Sequence, residues 1–172
     1  MYQKTYKIKK WFLIAFSAVV ILLFLLSMLF IFGKGSFVEI LVLISIFTAV
    51  LLIFIEAMSR KVLTGDQGIL IRKFFREKKL DWIDITQVGM VVIRKRVYVL
   101  LTTTKGFHIL TNAYEEFTSL LREIVGHVEK EKVDEEVRSR IEHPINKTSD
   151  IASMCYAAAV IAIIIALKIM TF

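Results

Sequence analysis

The residue types that most often carry out chemistry are sparse in this chain. His108, His127 and His143 lie far apart in the sequence, and none has a second ligand at a spacing typical of a metal site. Asp81 and Asp84 form a close pair of carboxylates, but capping or bracing a turn between strands accounts for them more simply. The chain contains neither a phosphate-binding glycine loop nor a known hydrolase or metalloprotease motif. The sequence therefore predicts a protein that is not an enzyme and that holds no metal or other cofactor.

Basic side chains are the stronger candidates for a binding surface, because they concentrate in one part of the chain. Between residues 60 and 105 eleven cations accompany four acids, whereas between residues 106 and 150 six cations accompany ten acids. The candidate contact residues cluster at two turns: Arg72, Lys73, Arg76, Lys78 and Lys79 at the first, and Arg94, Lys95 and Arg96 at the second. A cation beside an anionic leaflet gains about 1 kcal/mol. Solvated turns, lipid headgroups and nucleic acid each explain such clusters, but the aromatic residues form no stacking platform, so no nucleic-acid partner is expected.

Composition indicates where the rest of the chain resides. Hydrophobic residues make up 56% of the 172 residues, whereas soluble domains are usually about 45–50% apolar. Three long apolar runs, at residues 11–32, 37–58 and 151–167, account for the excess. About 20 residues are needed to cross the hydrocarbon as a helix, and the first run is too long for the apolar region of a signal peptide. We therefore predict an integral membrane protein with three transmembrane helices, the first two of which form a hairpin.

The positions of the cations predict the orientation of these helices. Four lysines precede the first run and two cations follow the second, whereas the loop between the runs contains only Lys34; the flanking cations are Lys4, Lys7, Lys9, Lys10, Arg60 and Lys61. Cations near the ends of transmembrane helices mark the cytoplasmic side. The basic tail at residues 1–10 and the region 60–149 are therefore expected in the cytoplasm, and the C-terminus is expected outside.

Two features of the apolar runs predict contacts inside the membrane. One face of the third run carries only small residues, which let helices approach closely in lipid; they are Cys155, Ala158, Ala159, Ala162 and Ala166. Glu39 and Lys168 both fall near the outer ends of their helices and are candidates for an ion pair. Glu39 also lies in a first helical turn, where the helix dipole by itself favours an anion. Cys155 is the only cysteine, so no disulfide within the chain is expected.

The region between the second and third runs has the pattern of an antiparallel sheet followed by helices. Short β-branched and aromatic segments alternate with glycine or charged turns; the predicted strands span residues 62–64, 68–74, 78–82, 88–93, 97–103 and 107–110. Asn112, with Glu115 three residues later, predicts the start of a helix. Val133, Val137 and Ile141 recur every fourth residue and predict a second, largely solvated amphipathic helix that leads back to the membrane.

The order of these elements, together with four local motifs, resembles the pleckstrin-homology-like (PH-like) domains of small bacterial membrane proteins. The motifs are Gly68-Ile69, the Trp-x-Asp-Ile step at residues 82–85, the Thr-x-x-Gly turn at residues 103–106 and the apolar helix face at residues 117–124. The resemblance implies an antiparallel β-barrel closed by a C-terminal helix, in a protein of the bacterial plasma (inner) membrane. The sequence supplies six strands, one fewer than the seven of the full fold.

The predicted fold class is thus membrane α plus β. A cytoplasmic tail (1–10) and a transmembrane hairpin (11–58) precede the PH-like domain (60–126), an amphipathic helical connector (127–149) and a third transmembrane helix (150–172). The resemblance implies a non-enzymatic accessory or scaffolding subunit, because PH-like barrels mostly bind lipid or peptide. Its expected partners are membrane lipids and another membrane-protein subunit or a second copy of the chain. Two alternatives stay open: an accessory or immunity component of a peptide or transport system, and an enzyme acting on lipids.

Overall fold

Seven strands, five α-helices and two short 3-10 turns are present in the computed structural model, which describes residues 2–33, 35–93, 96–142 and 149–170. The strands are β1 (Tyr2–Lys7), β2 (Lys61–Gly65), β3 (Gly68–Lys73), β4 (Arg76–Asp81), β5 (Ile85–Ile93), β6 (Arg96–Thr103) and β7 (Gly106–Thr111). The helices are α1 (Lys10–Phe32), α2 (Phe37–Ser59), α3 (Phe117–His127), α4 (Glu135–Glu142) and α5 (Ser149–Met170). They fall into two compact units: a helical unit of α1, α2 and α5, and a β unit that contains all the strands with α3 and α4.

The helical unit confirms that the three apolar runs form long helices. Each of α1, α2 and α5 is long and apolar enough to cross a membrane. Phe16, Val19 and Leu23 of α1 are buried, and residues of both α2 and α5 pack against them. The Phe16 ring meets the edge of the Phe54 ring of α2, with their centroids 5.3 Å apart. The large apolar side chains on the remaining faces are exposed, as expected of helices whose solvent is lipid.

The β unit consists of two antiparallel sheets whose inner faces form the core. One sheet has the strand order β1-β2-β3-β4, and the other has the order β5-β6-β7. Val62 and Ile69 of the first sheet and Leu101 of the second are fully buried. Helix α3 contributes Leu120 and Ile124, which are also fully buried. Burial of each such side chain stabilises the fold by about 1.5–3 kcal/mol, so α3 belongs to the core of this unit.

The N-terminal segment, interpreted from the sequence as a basic tail, is strand β1. Lys7 lies opposite Lys61 and Thr5 opposite Leu63 in an antiparallel pairing with β2. Tyr6 is buried, because alternate residues of a strand point to the same face and this one faces the core. The apolar hairpin of α1 and α2 is therefore inserted in the sequence between two neighbouring strands of one sheet. Both of its ends must return to that sheet.

Helix α3 begins later than the sequence predicts, so the interpretation of Asn112 as its N-cap is wrong. The helix starts at Phe117, preceded by Glu116 in a left-handed conformation with φ of 49°. The residues before it use their backbone groups to hold the N-terminal strand instead. The Glu115 N–H donates to the Lys7 carbonyl over 2.7 Å. In a capping box the same N–H would have donated to the Asn112 side chain instead.

The charged segment after α3 packs against the β unit more closely than a solvated connector would. Val133 lies beside Val88 of β5 in an isolated bridge, and the Asp134 N–H donates to the Val88 carbonyl over 3.0 Å. Helix α4 then begins at Glu135, and its Val137 is fully buried. Val137 and Ile141 thus lie on a helix as predicted, whereas Val133 precedes this helix and pairs with β5 instead. Residues 143–148 lie outside the described residues.

Candidate functional site

The first basic cluster is carried by the hairpin of β3 and β4. Lys73 lies opposite Arg76, so the turn between them consists of Phe74 and Phe75 alone. Side chains directly opposite each other in a sheet share a face. Lys78 is opposite the buried Ile71 and therefore extends the inner face of the sheet beyond the core.

The five cations predicted at this hairpin divide into two kinds. Arg72 forms an ion pair with Glu77, and the Lys79 ammonium lies 3.2 Å from a carboxylate oxygen of Asp81. Both pairs belong to the outer face of the sheet. The other three cations make no ion pair within the described part of the chain; they are Lys73, Arg76 and Lys78. The positive charge available to a ligand therefore resides at the rim and on the inner-face positions.

His108 of β7 adds a polar group near this charge. It shares a face with the buried Leu110, and its Nε2 atom is buried without a hydrogen-bond partner among the described residues. Burial lowers the pKa of His108, and the charges of Lys78 and Lys73 lower it further. The imidazole is therefore neutral at pH 7, since its ordinary pKa is 6.5. The local electrostatics favour an anion and oppose a cation.

The second predicted basic turn is described only in part. Arg94 and Lys95 lie outside the described residues, whereas Arg96 begins β6 opposite Ile93 and is exposed. A lipid or partner contact at this turn stays a prediction.

The residues of the Trp-x-Asp-Ile step have structural contacts. Trp82 donates from its indole N–H to the Gly65 carbonyl over 2.9 Å, and its ring stacks on His127 with centroids 4.6 Å apart. Asp84 lies 3.3 Å from the Lys105 ammonium and thereby braces the turn between β6 and β7. For Asp84, this contact agrees with the interpretation from the sequence that the two carboxylates brace a turn.

Two exposed apolar features were not identified from the sequence. The first is the aromatic tip, Phe74 and Phe75, whose side chains are 45% and 87% exposed and whose ring centroids are 4.2 Å apart. The sequence places Phe74 at the end of a predicted strand and Phe75 directly after it. This pattern alone does not show whether their side chains face the core or the solvent. Their adjacency within a run of cations was the available signal, because a two-residue turn exposes both of its side chains.

The second feature is the outer face of the second sheet. Phe107 and Ile109 of β7 are 70% and 59% exposed, and Val91 of β5 is also exposed. Leu100 of β6 lies between the two outer strands, opposite Ile109 on one side. The sequence shows the alternation of these residues with His108 and the buried Leu110, but it does not show which set faces the core. Contiguous exposed apolar residues of this kind mark interaction surfaces.

A polar cluster joins α3 to the first sheet. The Tyr6 hydroxyl donates to a Glu123 carboxylate oxygen over 2.8 Å, and the Lys4 ammonium lies 3.4 Å from the same oxygen. Burial raises the pKa of Glu123, but the hydroxyls of Thr64 and Tyr6 and the charge of Lys4 outweigh it and hold the pKa below its ordinary value. This carboxylate is therefore ionised at neutral pH and holds β1 in place.

The small residues of α5 do not form a single contact surface. Ala158 packs against the buried cluster of α1. The remaining four are exposed; they are Cys155, Ala159, Ala162 and Ala166. Helix α5 contacts α1 through a neighbouring face that includes Met154 and Ile161. Close packing of the four exposed small residues, which requires another molecule, stays a prediction.

The two charged residues proposed as an intramembrane pair each have a described contact. A Glu39 carboxylate oxygen accepts a hydrogen bond from the Ser36 N–H over 2.9 Å, as expected of an acid at a helix N-terminus. The Lys168 ammonium lies 4.5 Å from the centre of the Phe30 ring, a cation–π distance. The Glu39–Lys168 ion pair stays a prediction.

Among the described residues, no group of three or more histidine, cysteine, aspartate or glutamate side chains is placed to hold a metal ion. Comparison of the chain with protein-family models, with curated proteins and with solved structures finds no match. The case for a function therefore rests on the chain's own geometry.

Proposed function

We propose that the β unit is a PH-like domain held at a membrane surface, and that the protein is a non-enzymatic accessory or scaffolding subunit. The PH-like assignment is supported by two sheets of four and three antiparallel strands, with a following helix buried against them. The sequence motifs supplied only six strands, and β1 is the seventh. This total of seven strands supports the proposed assignment.

The single observation that carries the membrane location is the way the apolar helices connect to the β unit. Strand β1 ends at Lys7 and α1 begins at Lys10, while α2 ends at Ser59 and β2 begins at Lys61. These short linkers join neighbouring strands of the first sheet to two helices that are long and apolar enough to cross a bilayer. We place the protein in a bacterial plasma membrane, with the β unit in the cytoplasm, because the flanking cations favour that side.

A scaffolding role is supported by the exposed apolar face of the second sheet. A tethered domain needs no large apolar surface for its own stability, and Phe107, Ile109 and Val91 remain exposed around β6. Such a face suits a protein partner, whereas the cations of the β3–β4 hairpin suit anionic headgroups. The domain would thereby hold a partner at a fixed distance from the membrane.

Photocrosslinking from Phe107 tests this proposal. A photoreactive phenylalanine analogue at position 107 of the full chain, irradiated in native membranes, is expected to give one discrete adduct with another protein. Phe75 is the matched control, because it is 87% exposed but lies at the β3–β4 turn of the other sheet. The absence of an adduct at position 107, or the same adducts from both positions, would count against a partner on this face.

A further inference from the structure

The tip of the β3–β4 hairpin combines two properties that are costly in water. Phe74 and Phe75 expose their rings, although burial of aromatic surface is strongly favourable. On either side of them stand Lys73 and Arg76, which face each other across the hairpin and make no ion pair with a described residue. Neither the exposed aromatic pair nor the like-charged pair stabilises the isolated domain.

A row of cations crosses the outer face of the first sheet next to this tip. Lys7 of β1 lies opposite Lys61 of β2, and Lys61 lies opposite Arg72 of β3. Like charges directly opposite each other destabilise a sheet. Arg72 is offset by an ion pair across the hairpin, with Glu77. The sheet therefore keeps positive charge at one end, where an anionic surface would compensate it.

The same end of the sheet is the one at which the chain arrives from α2. Strands β2 and β3 are antiparallel, and Lys61 lies opposite Arg72. The residues before Lys61, which include Ser59, therefore lie at the same end of the sheet as the residues after Arg72, which lead to Phe75. Ser59 and Lys61 line a groove together with Phe74 and Phe75. The aromatic tip thus lies at the end of the first sheet at which the chain enters β2 from α2.

We infer that the β3–β4 tip inserts into the surface of a bilayer containing anionic lipid, with Phe74 and Phe75 among the upper acyl chains and Lys73, Arg76 and Lys78 on the headgroup phosphates. The inference rests on the proposed membrane location and specifies the ligand of its basic hairpin. Aromatic rings at the level of the headgroups and cations that reach the phosphates are the two contributions that hold interfacial segments in place. A protein partner on the tip would need its own acidic, apolar surface, whereas a bilayer beside Ser59 supplies both properties.

Collision measurements on a spin label test the insertion. The full chain, with Cys155→Ser and a nitroxide on Phe75→Cys, is reconstituted into vesicles of phosphatidylcholine and phosphatidylglycerol. Oxygen concentrates in the acyl chains, whereas a water-soluble nickel complex stays in the aqueous phase. The ratio of the oxygen collision rate to the nickel collision rate therefore rises with the depth of the label in the bilayer. The same label on Ile83→Cys is the control, since Ile83 is equally exposed but lies beyond the far end of β4. We expect the ratio to be at least about tenfold higher at position 75, because inserted apolar groups leave water.

Two further measurements test whether a high ratio at position 75 depends on contact between the cations and anionic headgroups. Replacing Lys73, Arg76 and Lys78 by serine, or using phosphatidylcholine alone, is expected to lower the ratio at position 75. Nickel collisions as frequent at 75 as at 83 would overturn the inference, as would low collision rates with both reagents, which mark a protein contact. A ratio indifferent to both the serine substitutions and the lipid charge would also overturn it. An adduct at Phe107 alongside any of these results leaves the proposed scaffold intact, so the two failures are distinguishable.

Discussion

At the residue scale, two glycines of the predicted motifs are required for different reasons. A Cβ on Gly68 would lie 2.0 Å from the Leu80 carbonyl oxygen, so β3 and β4 pair closely only without a side chain there. Gly106 has φ of +126° in the turn between β6 and β7, a conformation that other residues rarely adopt, although a Cβ there would meet nothing within 4 Å. The motifs therefore mark backbone constraints.

Gly68→Ala is expected to destabilise the β unit, because the strands must separate to admit the methyl group. Overpacking of this kind costs about 1–3 kcal/mol, which corresponds to a fall in melting temperature of about 2–4 °C for each kcal/mol in a chain of this size. Thermal unfolding of the full chain in mild detergent measures the change.

Gly126→Ala is the matched control. Position 126 lies in the last turn of α3, and a Cβ there would have no neighbour within 4 Å. Alanine in a helix is favoured over glycine by up to about 1 kcal/mol, so no loss of stability is expected. An equal loss in both variants would show that the close approach at Gly68 is not the cause.

The division of the basic hairpin illustrates what the sequence determines at this scale. Clustering of the five cations follows from their positions alone. Which of them have acidic partners depends on the register of the hairpin. Arg72 and Lys79 have such partners, whereas the other three have none among the described residues; these are Lys73, Arg76 and Lys78. A shift of one residue would exchange the two faces, and the register is set by Gly68 and by the two-residue turn. No local pattern reveals that register in advance.

At the element scale, β1 is the strand that the sequence does not reveal. Its lysines resemble a topology signal, and its partner β2 is more than fifty residues away along the chain. A non-local pairing of this kind leaves only a short alternation, of which Tyr6 and Ile8 are the buried members. The long helices, in contrast, are predictable because their length and apolar composition are local properties. Which face of α5 meets α1 depends on the partner helix and is likewise not local.

Glu123→Gln tests whether the polar cluster holds β1 on α3. Removing the charge weakens the hydrogen bond from Tyr6 and the ion pair with Lys4, at an expected cost of about 1.5–3 kcal/mol at pH 7. Hydrogen exchange at the amides of β1 should rise correspondingly. Glu131→Gln is the control, since Glu131 is exposed on a short turn and should have no effect.

The pH dependence gives this prediction a definite sign. The pKa of Glu123 is lower in the folded protein than its ordinary value of 4.5, so the unfolded chain takes up the proton first as pH falls. The stabilisation is therefore complete above pH 4.5 and is lost progressively below it. The difference in melting temperature between the natural chain and Glu123→Gln should shrink over that range. A difference independent of pH would contradict an ionised carboxylate in this cluster.

At the scale of the whole molecule, the order of elements shows how the three apolar helices are connected to the β unit. The apolar hairpin joins two adjacent strands of one sheet, and the third apolar helix follows the last helix of the β unit. The hairpin is joined to the two strands without a long linker, in agreement with a chain that contains one proline and seven glycines.

The central claim is that the β unit lies in the cytoplasm while α5 crosses the membrane to end outside. It is tested most directly by labelling single cysteines in intact cells with a membrane-impermeant thiol reagent, in a Cys155→Ser background. Thr104→Cys presents an exposed position in the β6–β7 turn without disturbing Gly106, and a second variant carries a cysteine after Phe172. The account predicts that the Thr104→Cys variant reacts only after permeabilisation and that the variant with the C-terminal cysteine reacts at once. The reverse pattern, or equal labelling of both sites in intact cells, would contradict it.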